Sequence, residues 1–188
     1  MERPLKVVIA GEKRVGKSTL VHRFIHNQFP LRGLRSTVGF DFTIKTITLE
    51  DGSTVVIHLF DFGGEPGFKK IFPQYASDSD GLILAFDPSR EETLDALHDW
   101  INVYEQRVRK KKSVNFLVST KADLGISTSP LKINDFRNKY PIAEYFKTSA
   151  LTGENTQKVF QRMAIRIQQY RQKSKFFQEN NRLHSHEN

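Results

Sequence analysis

The sequence predicts an α/β domain in which a mostly parallel six-stranded sheet, with one antiparallel strand, carries helices on both faces. Strand-like and helix-like segments alternate along most of the 188 residues, which is typical of parallel sheets. A glycine-rich loop, residues 11–18, separates the first strand from the first helix. An Asp-Gly pair at residues 51–52 lies between two strand-like runs and predicts a hairpin, which accounts for the antiparallel strand.

Two periodicities place the individual elements. Short runs rich in β-branched and aromatic residues predict strands over residues 5–10, 40–49, 54–60, 81–86, 114–118 and 143–147. Apolar residues three or four positions apart predict helices over residues 19–29, 94–108, 131–140 and 153–170. Because this pattern fades after residue 171, we expect residues 1–172 to form the domain and residues 173–188 to form a polar, partly basic, disordered tail.

The chain contains no cysteine, which excludes disulfides, cysteine-ligated zinc, thiol catalysis and cysteine-linked lipid anchors. Its longest apolar runs, such as residues 82–86, are far shorter than the ~20 residues that a membrane-spanning helix needs. The first residues do not resemble a signal peptide. We therefore expect a cytoplasmic protein.

Basic residues outnumber acidic residues by 29 to 21, which gives a net charge of +8. An excess of this size favours an anionic partner, such as a phosphorylated ligand, a nucleic acid or an anionic membrane surface. Net charge alone does not distinguish between these partners. The basic run at residues 107–112 also suits the C-terminal end of a helix, where cations interact favourably with the helix dipole.

Residues 11–18 read Gly-Glu-Lys-Arg-Val-Gly-Lys-Ser and match the pattern G-x-x-x-x-G-K-[ST] between a predicted strand and a predicted helix. In such a loop, backbone N–H groups and the helix N-terminus surround phosphate groups. Lys17 is placed to reach the outer phosphates, and Ser18 is placed to bind Mg²⁺. The sequence thus predicts a P-loop nucleotide-binding fold, with ATP and GTP both open at this point.

Three further motifs follow predicted strands, at the sheet edge where ligands bind in α/β folds. Asp61 and the glycines after it suit a Mg²⁺ shell and a terminal phosphate. Asp123, in the segment Thr-Lys-Ala-Asp, is placed to accept two N–H bonds from guanine, whereas adenine has no matching pair of donors. The backbone N–H near Ala150 is placed to reach guanine O6. Asp123 therefore favours GTP over ATP.

In the order and spacing of these motifs, residues 5–170 resemble a small GTPase of the Ras superfamily. The resemblance implies a molecular switch that binds GTP or GDP with Mg²⁺ and hydrolyses GTP, with partners in trafficking or signalling. It implies that Ser18 and Thr37 ligate the metal, that Asp61 binds it through water, and that Lys17 binds the β and γ phosphates.

The resemblance also assigns contacts to the base. Asp123 would bind the guanine N1 and N2 groups, Lys121 would pack on the base, and Phe29 would stack against its edge. Ala150 would meet O6, and Gly64 would contact the γ-phosphate. The full set of implied nucleotide-binding residues is Gly11, Lys13, Arg14, Val15, Gly16, Lys17, Ser18, Thr19, Phe29, Thr37, Gly64, Thr120, Lys121, Asp123, Ser149, Ala150 and Leu151.

The switch segments resemble two different branches of the superfamily. Residues 37–42 are similar to the first switch of the Rab branch, and residues 61–64 are similar to the second switch of the Arf branch. Thr120 stands where the family usually has asparagine, although the Rho branch also has threonine there. The resemblance implies that protein effectors and regulators bind residues 30–42 and 62–76, and we expect no specific nucleic-acid partner.

The predicted catalytic residues are Glu65, Lys17 and Thr37. Glu65 stands where the family usually has the glutamine that orients the attacking water, so hydrolysis is expected to be slow unless Glu65 acts as a base. Lys13 and Arg14 fill loop positions that are often occupied by small residues. There they would either crowd an incoming arginine or supply positive charge themselves.

A related hypothesis is that a cation of this chain, from Arg32, Arg35 or Lys13, stabilises the transition state. Two alternative functions remain open: a scaffold that binds GTP or GDP without hydrolysis, motivated by Glu65, and a nucleic-acid-associated GTPase, motivated by the net charge. Without a cysteine to prenylate, and with Glu2 in place of the glycine that myristoylation needs, we expect no lipid anchor and at most weak membrane contact.

Overall fold

The computed structural model describes residues 3–32, 36–108, 113–125 and 127–184, and within them six strands form one sheet in the order β2-β3-β1-β4-β5-β6. The strands are β1 (Leu5–Ala10), β2 (Phe40–Thr48), β3 (Thr54–Phe62), β4 (Gly81–Phe86), β5 (Val114–Ser119) and β6 (Ile142–Lys147). The β2–β3 pair is antiparallel, and the other four pairs are parallel. The predicted fold class is confirmed.

The sheet separates two hydrophobic cores. Every residue of β4 and β5 is buried, as expected for parallel strands that are covered on both faces. In β1, Val7 and Ile9 face one core while Val8 and Ala10 face the other, because successive side chains of a strand point to opposite faces. Because these five strands run parallel, the carboxyl ends of β1, β3, β4, β5 and β6 meet at the same edge of the sheet.

Helices cover both faces of the sheet. They are α1 (Lys17–His26), α2 (Pro66–Lys69), α3 (Phe72–Ala76), α4 (Glu92–Asp95), α5 (Leu97–Val108), α6 (Pro130–Lys139) and α7 (Thr156–His184). Helices α1 and α7 pack on one face, where the rings of Phe24 and Phe160 stack with their centroids 3.9 Å apart. Helices α3 to α6 pack on the other face, around Phe72 and the fully buried Trp100.

Several helix boundaries differ from the predicted ones. Helix α1 ends at His26, because Asn27 takes a left-handed conformation with φ of 54° and its backbone N–H bonds back to the Arg23 carbonyl. The helix predicted over residues 94–108 is two helices, α4 and α5, separated by Ala96 alone, so its apolar pattern continues across the break. Helices α2 and α3 each have about one turn, which is too short to produce a periodic pattern.

Helix α7 continues to His184, past the predicted end of the domain at residue 172. Residues 173–184 contain neither glycine nor proline, and their lysine, arginine, glutamine and glutamate residues favour a helix. The structure therefore has a helix where residues 173–184 were predicted to be disordered. Residues 185–188 lie outside the described residues. The domain boundary itself stays a prediction. Among the described helices, none is long and apolar enough to cross a membrane.

A buried carboxylate fastens the N-terminal segment and α7 to the sheet. The side chain of Asp80, just before β4, is only 1% exposed. It accepts hydrogen bonds from Arg3 Nη2 at 2.6 Å, from Arg171 Nη2 at 2.7 Å and from the backbone N–H of Lys6 at 3.0 Å. Asp80 thus joins three segments that lie far apart in the sequence.

Asp80→Ala is expected to lower the free energy of unfolding by about 3 kcal/mol, because it leaves the largely buried guanidinium of Arg171 without this carboxylate. Urea denaturation followed by circular dichroism measures the change. Asp135→Ala, which removes an exposed carboxylate from α6, is the control and should change the stability by less than about 0.5 kcal/mol. Equal stability of the two variants would contradict the proposed role of Asp80.

Candidate functional site

The glycine-rich loop connects the end of β1 to the start of α1, at the carboxyl edge of the sheet. Gly11 has φ of 146°, and a Cβ at this position would lie 2.1 Å from the carbonyl oxygen of Ala85 in β4. Gly16 has φ of 101° and caps α1, which begins at Lys17. Because Gly11 and Gly16 take conformations that other residues avoid, the loop bends tightly and leaves the first N–H groups of α1 available to an anion.

The Lys17 side chain lies inside the loop. This residue is only 5% exposed, and its Nζ donates hydrogen bonds to the carbonyl oxygens of Gly11 and Glu12, both at 2.9 Å. Burial lowers the pKa of Lys17 to about 8, although nearby Asp61 and Glu12 oppose the shift. The ammonium form therefore still predominates at neutral pH, and the loop holds a buried positive charge.

The three predicted metal ligands lie together beside the loop. Ser18 Oγ is 2.8 Å from Thr37 Oγ1, and Thr37 Oγ1 donates to Asp61 Oδ2 at 3.5 Å. Asp61 is 2% exposed, and its Oδ1 has no hydrogen-bond partner in the described part of the chain. Burial raises the pKa of Asp61 to about 6, while Ser18 and Lys17 lower it in part.

This set of donors fits a magnesium ion. Two hydroxyl oxygens and one carboxylate are hard oxygen ligands of the kind that Mg²⁺ prefers. A buried oxygen such as Asp61 Oδ1 that has no hydrogen bond to any described residue is unusual in a folded protein, and a cation would supply the missing interaction. Ser18, Thr37 and Asp61 are therefore the residues that would hold the metal.

Two clefts adjoin each other along this edge of the sheet. The first has a volume of about 170 Å³ and is lined by Lys13, Arg14, Gly16, Lys17, Ser18, Thr19, Ser36, Thr37, Phe62, Gly63, Gly64 and Lys121. The second has a volume of about 220 Å³ and is lined by Gly16, Thr19, Leu20, Phe29, Thr120, Lys121, Asp123, Leu124, Thr148, Ala150 and Leu151. The first is rich in polar and charged groups, whereas the second contains most of the apolar side chains. We call them the phosphate cleft and the base pocket.

Asp123 and Ser149 lie at the base pocket. The exposed Asp123 follows β5, and its Oδ1 accepts a hydrogen bond from the hydroxyl of Ser149, which follows β6. This bond orients the Asp123 carboxylate, and it engages Oδ1 rather than Oδ2. The structure thus brings together residues from two strand ends that are 26 positions apart.

Lys121 links the base pocket to the loop and to a residue that the sequence analysis missed. Its Nζ donates to Asp87 Oδ2 at 2.7 Å and to the carbonyl oxygen of Arg14 at 2.8 Å. Burial alone would raise the pKa of Asp87, but hydrogen bonds from Lys121 and Ser89 lower it below its ordinary value. Asp87 directly follows β4, so the rule that functional residues follow strand ends would have identified it.

Thr120 has a structural role in the same region. It is 3% exposed, and its hydroxyl is placed to donate to the carbonyl oxygens of Val15 and of Phe86. Val15 belongs to the glycine-rich loop and is fully buried, so it contributes to the site through its backbone. The threonine at this position therefore fastens the loop to the ends of β4 and β5.

Glu65 lies beside the phosphate cleft, because it directly follows Gly64 and is paired with Lys13, and both of these residues line the cleft. Its Oε1 accepts a hydrogen bond from Lys13 Nζ at 2.6 Å, and the two side chains are 41% and 45% exposed. Gly64 packs tightly on the same loop, since a Cβ on it would lie 2.2 Å from the backbone nitrogen of Lys13. Both residues were predicted to lie near the γ-phosphate, whereas the ion pair joins residues 52 positions apart and leaves no pattern in the sequence.

The structure does not place Arg32, one of the two arginines of the cation hypothesis, in the lining of the phosphate cleft. Arg32 is exposed, whereas Arg35 lies outside the described residues. Lys13 alone of the three candidates lines the cleft in the described part of the chain. Phe29 and Leu151, both predicted to bind the nucleotide, line the base pocket.

The chain is similar to known proteins over most of its length. A model of the Ras family matches residues 6–169. The chain is 33% identical over 164 residues to the Ras-related protein Rab-30 of Homo sapiens, a match that covers 86% of this chain and 79% of that protein. It is 31% identical over 168 residues to the Ras-related protein Rab-18-B of Danio rerio, covering 88% and 80% of the two chains. The chain therefore belongs to the Ras family of small GTPases.

Proposed function

We propose that this Ras-family chain binds GTP and GDP with Mg²⁺, hydrolyses GTP, and changes conformation between the two nucleotide states. The observation that carries the proposal is the junction of a polar cleft of about 170 Å³ with a less polar pocket of about 220 Å³. A nucleoside triphosphate has the same division into a charged chain and a flat base. Lys121 and Gly16 line both spaces, so one ligand spans them.

The base pocket selects guanine through Asp123. The Asp123 carboxylate accepts hydrogen bonds from the N1 and N2 groups of guanine, while Phe29 and the stem of Lys121 contact the ring. Adenine carries no N–H at these two positions, so it would leave the carboxylate without partners. A site built on such hydrogen bonds rejects an analogue that lacks them.

The phosphate cleft binds the charged end of the nucleotide. The Lys17 ammonium, now bonded to two loop carbonyls, turns to the oxygens of the outer phosphates, and the N–H groups of the loop add further donors. Ser18, Thr37 and Asp61 hold Mg²⁺, which when bound neutralises part of the phosphate charge. Gly64 contributes its backbone N–H at the terminal phosphate.

Glu65, Lys17 and Thr37 form the proposed catalytic set. Glu65, which follows the cleft-lining Gly64, accepts a hydrogen bond from the attacking water and orients it toward the terminal phosphate. The phosphate repels this carboxylate more than it would repel an amide, so the intrinsic turnover is expected to be slow. Lys17 stabilises the charge that develops on the transferred group.

Other aspects of the function remain predictions. Residues 30–42 and 62–76 are the proposed surfaces for effectors and regulators, and Val38 in the first of them is 81% exposed. A cytoplasmic location, weak membrane contact at most, and the lack of a specific nucleic-acid partner are inferred from the sequence. The scaffold alternative shares the nucleotide site and differs only in lacking turnover.

Nucleotide competition and phosphate release test the proposal together. The purified chain should bind GDP and GTP at least about 100-fold more tightly than ADP and ATP, because adenine leaves Asp123 unpaired. Bound GTP should release phosphate in the presence of Mg²⁺. Tight GTP binding without phosphate release would favour the scaffold, and equal affinity for ATP would contradict the assignment of Asp123.

Asp123→Asn is expected to weaken GDP binding by about 10- to 100-fold, because the amide no longer accepts both guanine N–H groups. The same variant should gain affinity for XDP, since xanthine presents an acceptor at C2 that the new amide N–H₂ can meet. Isothermal titration calorimetry with GDP and XDP measures both changes. Asp135→Asn, at an exposed site on α6, serves as the control and should bind GDP as the unaltered chain does.

Ser18→Ala is expected to remove most of the benefit of Mg²⁺ for nucleotide binding, because it deletes a proposed metal ligand. In the unaltered chain, EDTA should accelerate GDP release by about tenfold or more. In the variant, release should be fast with or without EDTA, as measured by stopped-flow displacement of a fluorescent GDP. Ser53→Ala, in the β2–β3 turn, is the control; the same EDTA response in Ser18→Ala and Ser53→Ala would argue against the metal site.

A further inference from the structure

Helix α2 is fastened at both ends to neighbouring residues of the glycine-rich loop. Glu65, just before α2, accepts a hydrogen bond from Lys13 Nζ at 2.6 Å. Lys69, the last residue of α2, has its Nζ 3.0 Å from Glu12 Oε1. The two pairs have opposite polarity. In one, the acidic Glu12 of the loop meets Lys69, and in the other, the basic Lys13 of the loop meets Glu65.

The two ion pairs differ in their surroundings. The Glu12–Lys69 pair is mostly shielded, with side chains 27% and 21% exposed, whereas the side chains of Lys13 and Glu65 are 45% and 41% exposed. Trp100 Nε1 donates to Glu12 Oε1 at 3.2 Å, and Lys69 Nζ lies 5.3 Å from the centre of the Trp100 ring. The C-terminal end of α2, at the Glu12–Lys69 pair, is therefore held more firmly than its N-terminal end, at the Lys13–Glu65 pair.

The Lys13–Glu65 pair offsets the repulsion between the Glu65 carboxylate and the phosphates at the proposed site of hydrolysis. A carboxylate beside a triphosphate is repelled, and the Glu65 side chain, which is 41% exposed, is only partly held by burial. The Lys13 ammonium supplies the opposite charge. It engages Oε1 of Glu65, so the second carboxylate oxygen remains available to a water molecule.

We propose that Lys13, which lines the phosphate cleft, is a positioning residue for hydrolysis and holds the Glu65 carboxylate beside the cleft so that Glu65 can orient the attacking water. This inference rests on the proposed hydrolysis of GTP. A direct action of Lys13 on the phosphates predicts a different dependence. If Lys13 acts directly on the phosphates, its substitution still slows hydrolysis when Glu65 is alanine. If Lys13 only positions Glu65, its substitution has no further effect when Glu65 is alanine.

The test is a double-mutant cycle of single-turnover GTP hydrolysis. Lys13→Met should slow hydrolysis by about tenfold or more, since misplacing a catalytic group has effects of at least this size. Glu65→Ala and the double variant should be slowed to about the same rate as each other, as for residues that act as a unit. Lys13→Arg, which keeps the charge, should retain most of the rate.

Further readouts separate positioning from a loss of structure or of nucleotide. The melting temperature should change little in Lys13→Met, and hydrolysis is measured from the preformed GTP complex, so a change in nucleotide affinity does not enter the rate. Added salt should slow the unaltered chain more than Lys13→Met, because an exposed ion pair is screened. Lys158→Met, which removes an exposed lysine from α7, is the charge-matched control and should hydrolyse GTP at the unaltered rate.

Two results would overturn this inference and leave the proposed hydrolysis standing. The first is an unchanged or faster rate in Lys13→Met. The second is that Lys13→Met slows hydrolysis by the same factor whether residue 65 is glutamate or alanine. The second result would assign Lys13 to the phosphates themselves. If the unaltered chain releases no phosphate from bound GTP, the proposed hydrolysis fails and the inference fails with it. The rate of the unaltered chain thus distinguishes the two failures.

Discussion

The buried ammonium group of Lys17 is the interaction around which the site is arranged. It is 5% exposed and bonded to two backbone carbonyls, and burial brings its pKa down to about 8. Close to it, the buried Asp61 has a pKa raised to about 6 and one oxygen without a hydrogen bond in the described chain. The site therefore holds a cation and a carboxylate that are both incompletely compensated, and Mg²⁺ with a phosphate chain would satisfy both of them.

The parallel sheet makes this arrangement rigid. Strand ends deliver Asp61 from β3, Asp87 after β4 and Thr120 after β5 to one edge, beside the loop that follows β1. Thr120 is hydrogen-bonded to the loop carbonyl of Val15, and Lys121 joins the loop carbonyl of Arg14 to Asp87. The groups that face the base thus also support the loop that faces the phosphates. The side chains of Glu65 and of Lys69 in α2 meet the loop differently, through the Lys13–Glu65 and Glu12–Lys69 ion pairs.

The sheet, its one antiparallel strand and the loop could be predicted because each leaves a local pattern: alternation of elements, an Asp-Gly turn, and a glycine-lysine motif between a strand and a helix. The break at Ala96 and the helix beyond residue 172 could not, since the apolar pattern crosses the first and has already faded in the second. The Lys13–Glu65 pair joins residues 52 positions apart, and no periodicity reports such a contact. Asp87 was missed although a strand-end rule would have found it.

Amide hydrogen exchange of residues 63–76 tests the central claim most directly, namely that the terminal phosphate of a guanine nucleotide sets the conformation of this segment. The experiment compares the chain with GDP and Mg²⁺ against the chain with a non-hydrolysable GTP analogue and Mg²⁺. The account predicts slower exchange in this segment with the analogue, because Gly64 and Glu65 gain contacts, and unchanged exchange in the buried strands β4 and β5. Identical exchange in both states would contradict it.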